Sequence, residues 1–318
     1  MGPVRAVVAT TRTEQAAMPH PTLAGGGVRA DVTADRTAPR RSFLFVPALR
    51  PDRFDKAAAS GADMFCVDLE DAVAPDRKDE ARGLALPYFE RAPASRALRY
   101  LRINSPRIPE GLRDLLALLD AKAPPDGVAV PKVRSAEEVR WVDGLLRRRW
   151  PDGVELLVQL EDPEAVENAS AIAAACPRVA VLAFGFVDFA AEVGCDLSRD
   201  ALLVARSRIA WAARRQGIDA LDGPWLEIRD TAGLAVEARH ARALGFSGKI
   251  AIHPNQVAGI HRAFTPSEAE VARARRIMAA FEAAGGNVVQ MDGEMIEAPV
   301  VAAALRTLAA AATDAGMT

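Results

Sequence analysis

Aromatic residues make up only 5% of the 318 residues, with two tyrosines and four tryptophans. That leaves little material for a base-stacking surface. Charge of one sign is not in surplus either. The 40 Lys and Arg face 42 Asp and Glu, a formal net of -2, which points away from nucleic acid and other polyanions as partners. Cys66, Cys176 and Cys195 are scattered and form no CxxC pair, so neither a zinc site nor a disulfide framework is readable. Thiols in a reducing cytosol are the expectation. No apolar run is long enough to cross a membrane. What is present is hydrophobic material: 50% of the chain, enough to core one large α/β domain or two ordinary ones.

Residues 1–40 mix Gly, Thr, Ala, Arg and Pro without a stable period. They contain no apolar core of a secretory signal. Their Arg and Thr content would suit a transit peptide, but Glu14, Asp31 and Asp35 speak against one, and a disordered leader is expected. After residue 40, β-rich apolar runs alternate with amphipathic helical stretches. The strand candidates are 42–47, 64–70, 97–104, 127–133, 154–161, 179–185, 219–222 and 249–253.

Helix signals fill the gaps. One helix starts after Pro51, with Asp52 and Asp55 in its first turn, and another runs through 76–91; anions at the start of a helix suit its dipole. Ser135 with Glu138 three residues on reads as a capping box, and Arg147, Arg148 and Arg149 occupy the last turn of that helix. Further helices are expected from Ser198 to the C-cap glycine Gly217 and from Ser267 to Gly285. Eight near-continuous apolar strands alternating with helices predict a (β/α)₈ TIM barrel over 41–263, with a C-terminal helical extension or lid over 264–318. An open doubly wound sheet is the competing architecture. It would carry a Gly-rich phosphate turn after an early strand, and "VPALRPDRF" has none.

A barrel places its chemistry at the C-terminal ends of the strands. Read in order, those ends offer Glu70 and Asp71, Arg102 and Asn104, Lys132, Glu161, Asp188, Asp222 and His253, and all are expected to converge on one mouth. Glu161 and Asp188 suit Mg²⁺, which takes few protein ligands and keeps much of its water. They suit equally an ion pair with Arg102 or Lys132. Arg102 has the fork to grip a carboxylate from two sides, or it forms a salt bridge with Glu70 or Asp68. For Lys132 an ion pair with the acidic ring is preferred to anion neutralisation or Schiff-base chemistry. His253, before Pro254, is read as a loop-fixing residue rather than a base.

The stretch "RSFLFVPALRPDRFDKAAASGADMFCVDLEDAVAPDRKDEAR" at 41–82 closely resembles the citrate lyase β-subunit-like enzymes of the HpcH/HpaI aldolase superfamily, which include the malyl-CoA and citramalyl-CoA lyases. The resemblance continues through "LRIN" (101–104), "VPKV" (130–133), "IDALDGPWLEIRD" (218–230), "LGFSGKIAIHPNQV" (244–257) and "AFTPSEAEVARARRIMAAFE" (263–282). It implies a TIM barrel, commonly trimeric or hexameric, that uses Mg²⁺ (or Mn²⁺). It further implies cleavage or formation of a C–C bond between an acyl-CoA or acyl-carrier thioester and a 2-oxo acid. Arg102, Glu161, Lys132 and Gly185 would then contact substrate, with Arg102 on the oxo acid's carboxylate. Glu161 and Asp188 would ligate the metal, Glu70 and Asp71 would lie beside its waters, and Pro47, Arg50 and Arg53 would approach the CoA or carrier arm.

Four stretches depart from the family pattern. An acidic residue often precedes the metal Asp, but here Phe186 and Val187 do. An "ET" and a small residue with Gly often follow the metal Glu, but here Asp162, Pro163 and Ala165 follow. "PGxRP" is replaced by a segment with Ala48 and Leu49. In "DGEMIEAP", Glu297 stands where relatives place an Asp that acts as proton donor on a neighbouring subunit. A thioesterase of the malyl-CoA kind and a carrier-dependent lyase subunit are therefore the alternatives to a CoA lyase.

Overall fold

The structure, a computed structural model, describes residues 39–315. Of the leader, residues 1–38 lie outside the described residues. Eight parallel strands close into a barrel in sequential order, β8 hydrogen-bonding back onto β1. They are β1 (Ser42–Pro47), β2 (Met64–Asp68), β3 (Leu98–Arg102), β4 (Gly127–Val130), β5 (Glu155–Leu160), β6 (Val179–Phe184), β7 (Asp219–Asp222) and β8 (Gly248–Ala251). Most are shorter than their apolar runs suggest, because the residues past each C-terminal end leave the ladder to form the mouth.

Alternation along these strands sorts side chains into two layers. Phe43, Met64, Cys66, Tyr100, Ala129, Leu157, Val181, Leu221 and Ile250 fill the barrel interior. Leu44, Phe65, Val67, Leu101, Val128, Leu156 and Leu182 face the helices outside. Both layers are apolar, which is why the strands read as unbroken hydrophobic runs. The phase carries into the loops. Asp68, Glu70, Arg102 and Glu161 are in step with the interior set, whereas Asp222 follows Leu221 and is turned outward.

The expected helices form, with some differences at their ends. The expected 76–91 helix is a 3-10 turn at Pro75–Arg77 followed by an α-helix over Lys78–Phe89. Ser135 caps its helix, but the Glu138 carboxylate accepts from the Arg134 backbone at 3.0 Å instead of closing a box with Ser135. Ser198 caps the helix Arg199–Gln216, which Gly217 ends in the left-handed region at φ 66°. A full capping box of Ser267 and Glu270 starts the helix Glu268–Ala283. The C-terminal part also contains a hairpin that the apolar pattern does not announce, β9 (Val289–Met291) and β10 (Glu294–Ile296). Its Asp292–Gly293 turn has positive φ at both residues, 52° and 84°, a turn that matches strand twist. The hairpin and the final helix Ala298–Ala315 enclose a small apolar cluster around Ile277, Ile296 and Val301, separate from the barrel core.

The expected leader boundary falls one residue late. Arg40 belongs to the fold: its guanidinium closes the N-terminal floor of the barrel on Glu155 at 2.6 Å and Asp219 at 3.1 Å, and Tyr100 donates to Glu155 at 2.6 Å. Replacing Arg40 with Met should leave Glu155 buried without its cation and cost on the order of 3 kcal/mol. Chemical denaturation reads this as a lower midpoint at unchanged slope, and an unchanged midpoint would count against the floor network.

Candidate active site

A cavity of about 940 Å³ opens at the C-terminal ends of β2 to β6. The loop after β2 shapes its first wall. Asp68 folds that loop by accepting from the backbone of Glu70 at 2.8 Å and of Ala72 at 3.3 Å. The same carboxylate takes the fork of Arg102, both contacts at 2.7 Å, while the Phe45 ring lies 4.4 Å beneath the guanidinium. Lys78 ties the loop from the other side, its ammonium donating to the carbonyls of Leu69 at 2.8 Å and Glu70 at 2.7 Å. Asn104 also donates to Leu69 and is held by Asp114. The backbone that carries Glu70 and Asp71 is thereby fixed at the cavity wall.

Their charges meet two cations. Arg102 Nη1 lies 3.0 Å from Glu70 and 3.5 Å from Asp71; Lys132 Nζ lies 3.0 Å and 3.5 Å from the same pair. Both Glu70 oxygens are buried and face these two cations at ion-pair distance. Lys132 itself is held at φ 55°, a strained backbone for a non-glycine residue and one found often at functional sites. That conformation aims its backbone N–H at Glu161, 3.2 Å away. Burial lowers the Lys132 pKa, but Glu70, Asp71 and Glu161 outweigh it and raise it. A permanently charged ammonium fits ion pairing and not Schiff-base chemistry.

Glu161 is the centre of the constellation. It is 4% exposed, and Gln159 donates to its other oxygen at 2.8 Å. Gly185, the residue after β6, makes room for it: a Cβ there would stand 2.4 Å from Glu161 Cγ and 2.8 Å from Oε1. Asp188, in the first turn of the helix Phe186–Val193, lines the same cavity. Burial, then the charges of Glu70 and Asp188, push Glu161 up to about 8 against the pull of Arg102 and Lys132. Burial and Asp71 push Glu70 up to about 7. Burial and mutual repulsion both penalise the ionised carboxylates, and a further cation would offset both. Among the described residues no set of three or more His, Cys, Asp or Glu side chains forms a closed metal cage. Two carboxylates, Glu161 and Asp188, lining one open cavity have the chemistry of a Mg²⁺ site completed by water or ligand oxygens.

The expected ring of polar strand ends is only partly assembled here. Glu70, Asp71, Asn104, Lys132, Glu161 and Asp188 share the cavity. Arg102 turns its two-toothed face inward onto Asp68, leaving Nη1 nearest the acidic residues. Asp222 is not at this mouth. Out of phase with the interior, it lies in the sheet–helix layer, bound by Arg206 at 3.1 and 3.0 Å and by Lys249 at 2.5 Å. His253 caps the 3-10 turn Pro254–Gln256, accepting from Asn255. Phe186 packs toward Phe184 and Gly223, away from the acidic cavity. Pro47, Arg50 and Arg53 sit at and after the end of β1, with Arg50 exposed and paired to Asp52 at 2.8 Å. Glu297 is exposed at the start of the last helix, its carbonyl accepting from Val300 and Val301; it does not line the cavity. Lys78 and Gln159 were not anticipated. Gln159 could have been found by phase, two residues after the interior Leu157 and two before Glu161.

Two outcomes follow from this packing. Gly185→Ala should displace Glu161, and the displacement should appear as a shift of the Glu161 side chain in a crystal structure of the variant; an unmoved carboxylate would contradict the close approach. Glu70 and Glu161 hold protons more tightly folded than unfolded, where the ordinary value is 4.5. Their contribution to stability is therefore full below about pH 4.5 and is lost as pH rises through about 7 and 8. The chain without added metal should lose melting temperature across that range, and Glu161→Gln should flatten the loss. An equal slope in the variant would refute it.

Comparison with known proteins agrees with this architecture. The family model for HpcH/HpaI aldolase/citrate lyase matches residues 41–254, and a model for C–C bond lyases of the TIM-barrel fold matches residues 208–313. A (3S)-malyl-CoA thioesterase of Cereibacter sphaeroides is 36% identical over 87% of this chain and 96% of its own length. An L-malyl-CoA/beta-methylmalyl-CoA lyase of the same species is 35% identical over 77% of this chain and 85% of its own. The crystal structure of the protein CitE from Mycobacterium tuberculosis in complex with magnesium, acetoacetate and coenzyme A superposes with a TM-score of 0.73. It is 34% identical and covers 87% of this chain and 99% of its own. With two thirds of its length matched by the family model and its site at the mouth of a closed parallel barrel, this chain belongs to the HpcH/HpaI aldolase/citrate lyase family.

Proposed function

We propose that this protein is a Mg²⁺-dependent C–C lyase that splits a hydroxyacyl-CoA thioester of the malyl or citramalyl type into an acyl-CoA and a 2-oxo acid, or joins them. The observation that carries this reading is that Glu161, given room by Gly185, and Asp188 line one cavity with Glu70, Asp71 and Lys132, with Arg102 beside Glu70. Glu161 and Asp188 are the proposed metal ligands, and Mn²⁺ suits the same oxygen donors. When bound, the metal supplies Lewis acidity toward the oxygen that becomes the ketone.

The remaining roles belong to this chain's own groups. Cleavage moves the hydroxyl proton to a base while the electrons of the breaking C–C bond pass to the carbon next to the thioester. Glu70, with its carboxyl pushed up to about 7, exchanges a proton near neutrality. Asp71 keeps the adjoining wall acidic. Arg102 Nη1 and Lys132 Nζ stabilise the charge that develops on substrate oxygens, and both are held there before substrate arrives. Pro47, Arg50 and Arg53, at and after the C-terminal end of β1, are the proposed contacts for the CoA arm.

Glu297 stands off the cavity of its own chain. That position fits delivery of the carboxyl to a neighbouring subunit's mouth, and so a homotrimer in which Glu297 protonates the product carbon. Free thiols at Cys66 and Cys195 fit a reducing, cytoplasmic setting. The second reading, a malyl-CoA-type thioesterase, is favoured by the 36% identity to a protein of that activity over 87% of this chain. Both readings place the thioester in the same mouth.

Turnover with malyl-, methylmalyl-, citramalyl- and citryl-CoA separates them. A 2-oxo acid that appears with Mg²⁺ and vanishes with EDTA is the expected result, and Glu161→Gln should lower its rate on the order of 10²-fold or more. Free CoA without a 2-oxo acid would overturn the lyase in favour of the thioesterase. Full activity in Glu161→Gln would overturn the site.

A further inference from the structure

A second cavity, of about 400 Å³, lies outside the barrel between the ends of β6 and β7 and the helix Arg199–Gln216. The first turn of the helix Phe186–Val193 separates it from the acidic mouth, because Phe186 faces one cavity and Asp188 the other. Its walls are mainly apolar, from Phe184, Phe186 and Leu202, with Leu197 and Leu226 exposed at the rim.

Its inner end is built differently. Lys249 is 2% exposed, and among the described residues Asp222 is the single hydrogen-bond partner of its ammonium. Asp222 is already gripped from two sides by Arg206. Two buried cations thus share one buried carboxylate. The next carboxylate, Glu237, lies 3.6 Å from Arg206 Nη1 and is also paired to Arg199 at the rim. Arg206 Nη1 spends its remaining reach on His240 Nδ1 at 3.1 Å. Glu227 sits exposed on the outer lip. Trp225 lines the same space, and its Nε1 is shut from solvent with no acceptor. A buried ammonium with unused protons and a buried indole N–H without a partner are both costly unless an acceptor meets them.

We infer that this cavity is a second ligand site, distinct from the catalytic mouth, for a small monocarboxylate with an apolar body. The head would take the free directions of Lys249, with the Trp225 N–H as the neutral donor nearby, and the body would lie between Phe184, Phe186 and Leu202. An apolar pocket with a few placed polar groups is the usual make-up of such a site. A short fatty acid and a branched-chain acid share this chemistry. The inference does not rest on the lyase reading, because none of these residues lines the mouth.

Calorimetric titration of the full-length protein with sodium hexanoate tests it, with hexan-1-ol as the uncharged match. Saturable binding of hexanoate is expected, with hexanol weaker by about tenfold or more. Leu226→Trp, at the exposed rim, should weaken hexanoate by a similar factor without disturbing the core, and Glu161→Gln in the mouth should leave it unchanged. No saturable binding, equal affinity for hexanol, or binding lost in Glu161→Gln but kept in Leu226→Trp would each overturn the second site. Titration of isovalerate, to compare the branched body with the straight one, would then distinguish the two sources.

Discussion

Electrostatic crowding at the barrel mouth is the constraint on which the rest of this structure depends. Glu70, Asp71, Glu161 and Asp188 are gathered by three different strand ends into one cavity, and Glu70 and Glu161 are buried. Arg102 and Lys132 offset part of this charge, but Arg102 is largely committed to Asp68. The residual strain shows in the raised proton affinity of Glu70 and Glu161. A fold tolerates such an arrangement where function requires it and the scaffold is stiff enough to hold it. The scaffold here is the closed parallel sheet, apolar on both faces and sealed at its floor by Arg40, Tyr100 and Glu155.

Much of the architecture could be read from residues alone. The eight apolar runs each overlap a strand, β8 beginning one residue before its run at Gly248, and β1 and β7 coincide with their runs residue for residue. Ser198, Gly217 and Ser267 mark helix ends by local hydrogen bonding and left-handed backbone, properties that need no tertiary context. Strand lengths were overestimated where polar residues such as Glu70, Asn104 and Glu161 follow an apolar run. Nothing local marks the point where a chain leaves the ladder for the mouth.

The site was legible as a set of residue types and less so as directions. Phase decides direction in a barrel, and both faces of these strands are hydrophobic, so the alternation that would separate inside from outside is hidden. Asp222 therefore looked equivalent to Glu161, yet it serves an ion cluster behind the sheet. Lys132 escapes the phase rule because its backbone is left-handed. Lys78 acts through carbonyls nine and eight residues away, a contact set by the shape of the loop. The Asp292–Gly293 turn carried a hairpin signal, but three-residue strands give too short an alternation to accompany it.

The central claim is that Glu161 and Asp188 complete their charge balance with a divalent cation. Calorimetric titration of the metal-free protein with Mg²⁺ in two buffers of different ionisation heat measures both the affinity and the protons released. Binding with net proton release at pH 7, lost in both Glu161→Gln and Asp188→Asn, is the expected result. Binding that persists in either variant, or no binding to the unaltered chain, would contradict it.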